Sequence, residues 1–432
     1  MSGSPRIRLH GALMDLTPLR ESPLFRRFWL GRSLSIMGSR IAAVAVMFQI
    51  WESTRSVLWS GAVGIAHAIP MLLLSVIAGS SADRYDRRRI QIVTTTGQAA
   101  VSIALAGQAL LGGLSPLLLL GLIALQSAVA AFGGPASRSL VPRLVPGEQL
   151  AAGLALTGIS AQTAMLLGPA LGGLLIGWIG LAGCYLVDAG TFAAAFIGVF
   201  GLPALRPLGD TAQPGWAGIR EGLLFLRRHP VIRALLLTDL AATVLAMPIS
   251  LFPLINQQLF NGDPRTLGLF LSAIGVGGVI ASVLSGTFTR SGQQFRWVVG
   301  GALVWGTSLG LVGVAAYIGW PVAVLAPLVV AGAADTASVV SRGALVQRLT
   351  PDELRGRVGA VELLVGMTGP DLGNVRAGVV ARVTSGAVAL VSGGALCVAV
   401  VLGLRWRTPE LRARTRTESG DRSAPNRSGE SS

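Results

Sequence analysis

The stretch GSSADRYDRRR at residues 79–89 decides the fold of this chain. It contains six charged residues, and apolar stretches at residues 57–78 and 90–111 lie on its two sides. A helix needs about 20 apolar residues to cross a hydrocarbon core of roughly 30 Å, and both stretches are long enough. A charged turn between two such helices must lie in water at one membrane face. Its four arginines favour the cytoplasmic face.

The composition indicates a membrane protein independently of this stretch. Hydrophobic residues make up 52% of the 432 residues, charged residues make up 13%, and the mean hydropathy is +0.64. Soluble domains usually carry about 25% charged residues. The net charge of +15 comes entirely from arginines, which lie at the ends of apolar segments without interleaved aromatic residues. Membrane lipid is therefore an expected partner, and nucleic acid is not.

The hydropathy pattern predicts an all-α membrane protein with twelve transmembrane helices in two six-helix bundles. Backbone groups in lipid need internal partners, so each span is expected to be helical. The first six spans are residues 28–50, 57–78, 90–111, 116–136, 150–178 and 181–202. The second six are residues 232–254, 267–288, 297–318, 321–340, 358–381 and 385–404.

The spans divide the chain into five predicted segments. Residues 203–231 form a cytoplasmic linker. Within it, the helical spacing of Trp216, Ile219, Leu223 and Leu226 predicts an amphipathic helix over residues 216–228, along the membrane interface. The other segments are a cytoplasmic amino-terminal segment (1–27), the two bundles (28–202 and 232–404) and a disordered cytoplasmic tail (405–432).

An internal repeat relates the two bundles. The sequence Ser-Arg followed by Arg-Leu-x-Pro-x-Glu occurs at residues 137–148 and again, with one residue inserted, at residues 341–353. A Gly-Pro pair at residues 168–169 likewise recurs at residues 369–370. A parallel repeat of this kind predicts two similar halves around a cavity near the middle of the membrane.

Ionisable residues inside the spans are candidates for function, because a charge in the bilayer is costly. Two alternatives stay open for several of them. Glu362 either takes part in transport or caps the start of span eleven. Asp371 and Arg376 either take part in transport or form a structural pair. His67 suits a hydrogen-bonded contact between helices. The candidates are Arg40, His67, Asp188, Asp239, Asp335, Glu362, Asp371 and Arg376.

The pattern G-x-x-x-D-R-x-x-R-R at residues 79–88 resembles the signature of the loop between helices two and three in the major facilitator superfamily. The resemblance implies a membrane transporter. It also implies that Gly79, Asp83, Arg84, Arg87 and Arg88 hold the outward-open state. Asp86 stands where that family often has glycine, and its role stays open.

Span five contains Gly168, Pro169, Gly172 and Gly173 in a pattern that resembles the antiporter motif of exporters in this superfamily. Together with residues 44–50 and 82–87, it makes the chain similar to the siderophore, macrolide and drug efflux branch. The resemblance implies export of a siderophore or a bulky amphipathic drug-like molecule across the cytoplasmic membrane, by proton antiport with alternating access. A proton-coupled importer of a small metabolite and a non-transporting membrane sensor remain alternatives.

The resemblance also orders the candidate residues. Spans one, four, seven and ten line the cavity in this superfamily, so Asp239 and Asp335 are expected to face it more than Asp188. A proton on one of these two acids would release Arg40 across the cavity. The chain is expected to be a monomer without enzymatic activity, cofactor or metal, and it has no G-x-x-x-x-G-K-[ST] loop for a nucleotide.

The arginine distribution predicts that both termini and the linker are cytoplasmic. On the span map, Arg55, Arg265 and Arg382 are the arginines on outer loops, and most of the 35 lie on the opposite side. Reporter fusions after Arg55, after Asp210 and at the carboxyl terminus check this. An outside signal at the linker or the carboxyl terminus would contradict the map.

Overall fold

The structure, a computed structural model, describes residues 15–112, 115–203, 216–410 and 412–413. For residues 76, 79, 80, 82–84, 216, 217, 289 and 290 it describes the backbone alone. Within these ranges the regular structure is entirely helical. The helices are α1 Thr17–Glu21, α2 Pro23–Thr54, α3 Val57–Arg84, α4 Arg87–Leu110, α5 Pro116–Leu144, α6 Leu150–Phe200, α7 Trp216–Arg228, α8 Pro230–Ala246, α9 Phe252–Phe260, α10 Pro264–Val283, α11 Ser285–Arg290, α12 Gln294–Tyr317, α13 Val322–Leu349, α14 Arg355–Val383 and α15 Gly386–Arg407.

Ten of the twelve predicted spans each follow a single helix, whereas the seventh and eighth are each divided between two helices. Ten helical segments of the described chain are long and apolar enough to cross a membrane. Helix α6 has 51 residues and covers two predicted spans, which are separated at Gly180 by a φ of 71° that glycine tolerates. Helix α14 has 29 residues and matches predicted span eleven, although its charged residues lower its hydropathy. The chain is therefore a multi-pass helical membrane protein.

The seventh predicted span is not one continuous helix. Helix α8 ends at Ala246, a single 3-10 turn follows at Ile249–Leu251, and α9 begins at Phe252. Pro248 lies in the break, where a proline lacks the amide proton that a continuing helix would need. The break bends the chain where α8 and α9 meet.

Each half of the chain packs mainly on itself. In the first half, α6 packs on α2 and α4, while α5 packs on α3 and α4. In the second half, α12 packs on α13 and α15, α10 on α13, and α8 on α14 and α15. The two large contacts between the halves are α6 with α10 and α3 with α14.

Glycines allow the halves to meet closely at the end of the bundle where α3 begins. A Cβ atom on Gly61 would lie 2.9 Å from the carbonyl oxygen of Asn374, and one on Gly64 would lie 2.7 Å from that of Asp371. From the other side, a Cβ atom on Gly378 would lie 2.7 Å from the carbonyl oxygen of Val57. Small residues promote such close helix packing in membranes. The backbones of α3 and α14 therefore touch directly at this end.

The sequence repeat corresponds to a structural repeat. Helices α5 and α13 each run past the repeated Ser-Arg pair and end in similar positions. Each is followed by a 3-10 turn, at Gly147–Gln149 and at Asp352–Leu354, and then by the next long helix. The repeated proline precedes each turn, where its fixed φ suits the start of a helical turn.

The predicted amphipathic helix is present as α7, with the same bounds. Its apolar residues Ile219 and Leu226 are buried in a cluster with Val346 and Val358 of the second half. Glu221 on its polar side forms an ion pair with Arg357 at the start of α14. The helix is therefore packed on the second half as well as joining the two halves.

We expect Gly277→Ala to lower the melting temperature (Tm) of the purified protein. Gly277 lies where α10 crosses α13, and a Cβ atom there would overlap the carbonyl of Val329 and lie 2.6 Å from the amide nitrogen of Ala333. Such overpacking costs about 1–3 kcal/mol. Gly310→Ala on α12 is the control, because no described atom lies within 4 Å of an added Cβ there. An equal change of Tm in both variants would contradict the close contact of α10 with α13 at Gly277.

Candidate functional site

A cavity of about 580 Å³ lies among the helices of the first half. Its walls come from α2, α3, α4, α5 and α6, and Asp371, Asn374 and Ile249 of the second half close one side. The lining reaches Phe28 near the start of α2 and Val199 near the end of α6. The cavity therefore extends towards the end of the bundle that carries residues 79–89, here called the signature loop. The glycine contact of α3 with α14 lies at the opposite end.

Asp188 of α6 contributes a buried carboxylate to this cavity. Its side chain is 1% exposed, and it accepts hydrogen bonds from Ser102 (2.6 Å) and Ser39 (3.5 Å). The sequence expectation ranked Asp188 below Asp239 and Asp335, because only certain spans were expected to face the cavity. The structure reverses this order for the cavity described here. Two hydroxyl donors from α2 and α4 make its burial possible.

Arg40 of α2 also lines the cavity, and the antiporter motif explains its position. A Cβ atom on Gly168 would overlap the Cβ of Arg40, and one on Gly172 would lie 3.1 Å from the carbonyl oxygen of Ile41. Gly173 faces the other way, towards the backbone of Pro264 at the start of α10. The motif therefore packs α6 closely against α2 in its own half and against α10 in the other half.

A histidine and an aspartate join the two halves across the cavity wall. His67 Nδ1 of α3 lies 2.9 Å from Asp371 Oδ2 of α14, and both residues line the cavity. The alternative pair of Asp371 with Arg376 is not formed, since Arg376 donates to the carbonyl oxygens of Leu245 and Ala389. His67 thus makes a helix contact, as expected from the sequence, and that contact connects the two halves.

A second group of charges, here called the charge cluster, lies inside the second half and consists of Asp239, Asp335, Arg342 and Glu362. Arg342 is 5% exposed and Asp239 is 8% exposed. Arg342 Nη1 forms an ion pair with Asp239, and its Nε lies 3.4 Å from Glu362 Oε1. Asp335 lies close enough to interact electrostatically with both Asp239 and Arg342. The arginine beside Asp239 is therefore Arg342, whereas Arg40 lies on the wall of the cavity.

Arg342 was missed because span ten was expected to end at residue 340. Helix α13 continues to Leu349, which carries Arg342 inside the fold. The spacing of seven residues from Asp335 to Arg342 is two helical turns and places them on one face, so this signal was available. Glu362 does not simply cap a helix, since α14 begins at Arg355.

The signature loop is short, with α3 ending at Arg84 and α4 beginning at Arg87. Asp86 caps α4 by accepting a hydrogen bond of 2.9 Å from the amide of Arg88, which explains the departure from glycine at this position. The Arg88 side chain donates to the carbonyl oxygen of Phe200 and lies over its ring. The side chains of Asp83 and Arg84 lie outside the described atoms, so the role assigned to them and to Gly79 stays a prediction.

Metal binding finds no support in the described part of the chain. Within it, no three histidine, cysteine, aspartate or glutamate residues are arranged to hold a metal ion. The two cysteines, Cys184 and Cys397, are both free and buried. The residues that line the cavity offer charge, hydrogen bonding and apolar contact to a ligand.

Two curated relatives are similar to this chain over most of their length. The enterobactin exporter EntS of Shigella boydii is 28% identical over 401 residues, which cover 90% of this chain and 93% of that protein. Macrolide efflux protein A of Streptococcus pyogenes is 25% identical over 338 residues, which cover 77% of this chain and 83% of that protein. Both relatives are named as exporters.

Solved structures with low sequence identity share the fold. A bacterial homologue of the iron transporter ferroportin, in an inward-facing state, has a TM-score of 0.68 at 18% identity and covers 90% of this chain and 98% of its own. The nucleoside transporter NupG has a TM-score of 0.69 at 12% identity and covers 90% of this chain and 98% of its own.

A family model described as transmembrane secretion effector matches residues 14–427. The match spans nearly the whole chain and agrees with the helical fold and with the exporter relatives. It confirms the expectation of a transporter rather than an enzyme. The chain belongs to the transmembrane secretion effector family of the major facilitator superfamily.

Proposed function

We propose that this protein exports an amphipathic small molecule, of the siderophore or macrolide type, across the cytoplasmic membrane in exchange for protons. The cavity of about 580 Å³ carries the proposal, because its apolar lining contains Arg40, Asp188 and the His67–Asp371 pair. Ligand sites of about 300–1,000 Å³ commonly combine apolar walls with a few placed polar groups. An amphipathic molecule fits that combination better than an ion or a sugar.

The direction of transport rests on the relatives and on the antiporter motif. Both curated relatives are named as exporters, and Gly168, Gly172 and Gly173 of the motif that resembles the antiporter motif pack α6 closely against α2 and α10. With both termini in the cytoplasm, the cavity extends towards the cytoplasmic face and is closed by glycine contacts at the outer face. That arrangement loads substrate from the cell interior.

The charge cluster supplies a reason for proton coupling. Asp239 and Glu362 pair with the one guanidinium group of Arg342, and Asp335 lies close enough to interact with it electrostatically. Full ionisation therefore leaves an excess of negative charge in a largely buried site. Uncompensated buried charge is costly, and uptake of one proton reduces it. Asp239, Asp335 and Glu362 are thus the carboxyls that we assign to proton exchange, and Arg342 takes the role expected of Arg40.

Helix α14 connects the charge cluster to the substrate cavity. It carries Glu362 in the cluster and, nine residues further on, Asp371 against His67 of the other half. A change of charge around Glu362 therefore acts on the same helix that holds the halves together. We propose that this helix transmits proton binding to the opening of the α3–α14 contact, a rigid-body change of one half against the other.

The export function predicts lower cellular accumulation of a macrolide or of enterobactin when the protein is expressed in a host that lacks its own efflux systems. Asp188→Asn should weaken export by about tenfold, since each 1.4 kcal/mol of lost interaction is a factor of ten. Asp352→Asn is the control, because its carboxylate is 80% exposed and remote from the cavity. Net uptake into the cells would favour the importer, and no flux of any tested compound would favour the sensor.

Proton coupling predicts that Glu362→Gln abolishes proton-driven substrate uptake into inverted vesicles while substrate binding changes by less than about threefold. Among substitutions in the charge cluster, Glu362→Gln should disturb the fold least, because Glu362 Oε1 lies 3.4 Å from Arg342 Nε and its side chain is 19% exposed. Asp239→Asn removes the closer partner and should also reduce stability, by about 3–5 kcal/mol. Asp352→Asn again serves as control. Full proton-driven uptake by a folded Glu362→Gln protein would remove the cluster from the coupling mechanism.

A further inference from the structure

Arg40 is a cation that faces the substrate cavity without a partner of opposite charge. It lies within α2, its side chain is exposed, and it is among the residues that line the cavity. Its guanidinium group takes part in none of the ion pairs found among the described residues. A charge inside a membrane span is retained where it pairs with another group or serves a function. The donors of this guanidinium group are available to a ligand.

The acids of the surrounding helices are committed elsewhere. In α2 to α6, which form the cavity, the acids of the sequence are Glu52, Asp83 and Asp188. Glu52 lies near the end of α2, where it pairs with Arg55 at 2.9 Å, and Asp83 lies in the signature loop at the end of α3. Asp188 is 1% exposed and accepts a hydrogen bond of 2.6 Å from Ser102. The first half therefore supplies no accessible carboxylate to Arg40.

The remaining charges of the cavity do not neutralise Arg40 either. The second half adds one acid to the wall, Asp371, which lies 2.9 Å from Nδ1 of His67 and whose side chain is 16% exposed. A second arginine, Arg32, lines the cavity nearer to the start of α2, and Arg138 lies close enough to interact with it electrostatically. The accessible charge of the cavity is therefore positive, and an anionic group is the complementary ligand.

Two glutamines add hydrogen-bond acceptors to the same cavity. Gln91 of α4 is 8% exposed, Gln126 of α5 is half-buried, and both line the cavity. The side-chain oxygen of each is buried and has no hydrogen-bond partner among the described residues. Leaving a buried acceptor unsatisfied is costly, so a ligand that donates to it gains affinity. The cavity therefore suits a molecule that has N–H or O–H groups as well as an anionic group.

We propose that the cavity selects amphipathic organic acids, and that Arg40 binds the anionic group of the substrate. This inference rests on the proposed export function and narrows its substrate class. A guanidinium group binds an oxyanion through charge-assisted hydrogen bonds, which are roughly twice as strong as neutral ones. Apolar lining residues such as Ile36, Val46 and Phe192 receive the rest of the molecule. An amphipathic cation would instead place its charge beside Arg40, with only buried or paired carboxylates to balance it.

The test is fluorescence titration of the purified full-length protein with two dyes that share one apolar skeleton. Anilinonaphthalene sulfonate carries a sulfonate group, and phenylnaphthylamine is the same skeleton without it. The signal from protein-free detergent micelles is subtracted. We expect saturable binding of both dyes. In wild-type protein, octanesulfonate should displace phenylnaphthylamine at a concentration about tenfold lower than octyltrimethylammonium, which has the same chain and the opposite charge.

Substitution of Arg40 isolates the contribution of its charge. Arg40→Gln keeps the Cβ that packs against Gly168 and removes the charge. It should weaken binding of the sulfonate dye about tenfold and change binding of the neutral dye by less than about twofold. Arg40→Lys keeps the charge and should weaken the sulfonate dye by less than about threefold. Arg382→Gln is the matched control, because Arg382 is exposed and lies outside the cavity lining.

Three results would overturn the proposal. Equal weakening of both dyes by Arg40→Gln would show that Arg40 acts through packing. Unchanged affinity of that variant for the sulfonate dye would place the anion elsewhere. Equal displacement by octanesulfonate and octyltrimethylammonium would show a cavity that is indifferent to charge, and this comparison needs no variant to fold.

The export function is tested separately, by accumulation of compounds in cells. Export from cells together with dye binding that is indifferent to charge would refute the preference for acids and leave the export function intact. Selective binding of the sulfonate dye without export of any compound would refute export and support the anion site.

Discussion

Contact between helix backbones in lipid is the constraint on which this structure depends. In a bilayer the backbone of each helix satisfies its own hydrogen bonds, and the surrounding lipid is as apolar as the side chains. Helices therefore associate through close packing, for which glycine allows the shortest approach. Gly277 and Gly332 bring α10 against α13, while Gly61 and Gly64 bring α3 against α14. Close helix packing at glycines therefore holds the second half together and also joins the two halves.

The joint between the halves differs from the packing inside them in a way that suits movement. The α3–α14 contact consists of glycines against backbone carbonyls, with the His67–Asp371 pair as its polar member. Surfaces without interlocking side chains separate at a low cost, since few rotamers must be rearranged. Packing inside the second half is different, because Arg342 ties α13 to α8 and α14 through buried ion pairs. Breaking those pairs is expensive, which keeps the half rigid.

Much of the fold followed from the sequence, and the reasons are physical. Apolar length and the arginine-rich turn predicted the membrane helices, and helical spacing predicted α7 with its observed bounds. The repeat predicted two similar halves, and α5 and α13 both run through it and end at equivalent positions. Helix ends were less predictable where a polar segment continues a helix beyond the apolar core. That is how Arg342 was placed outside span ten, although α13 continues through it.

The sequence predicted which ionisable residues belong to the candidate site, but it did not predict which of them contact each other. Several ionisable residues inside the spans, such as Asp188, Asp239 and Asp371, have specific polar partners, which lowers the cost of their burial. Hydropathy contains no information on which helix faces which, so the pairing of His67 with Asp371 and of Asp239 with Arg342 could not be derived. The family rule on cavity-lining spans failed for Asp188, whose burial depends on hydroxyls from two other helices.

The two halves have diverged in chemistry while keeping one architecture. The first half holds the cavity, with a carboxylate bound by hydroxyls that substrate could replace. The second half holds its carboxylates around a buried arginine, where a proton is a closer match than a bulky molecule. Helix α14 belongs to the second half yet places Asp371 in the wall of the first-half cavity. The proposed division of substrate and proton between the halves needs one element shared by both sites, and residues of α14 lie in each.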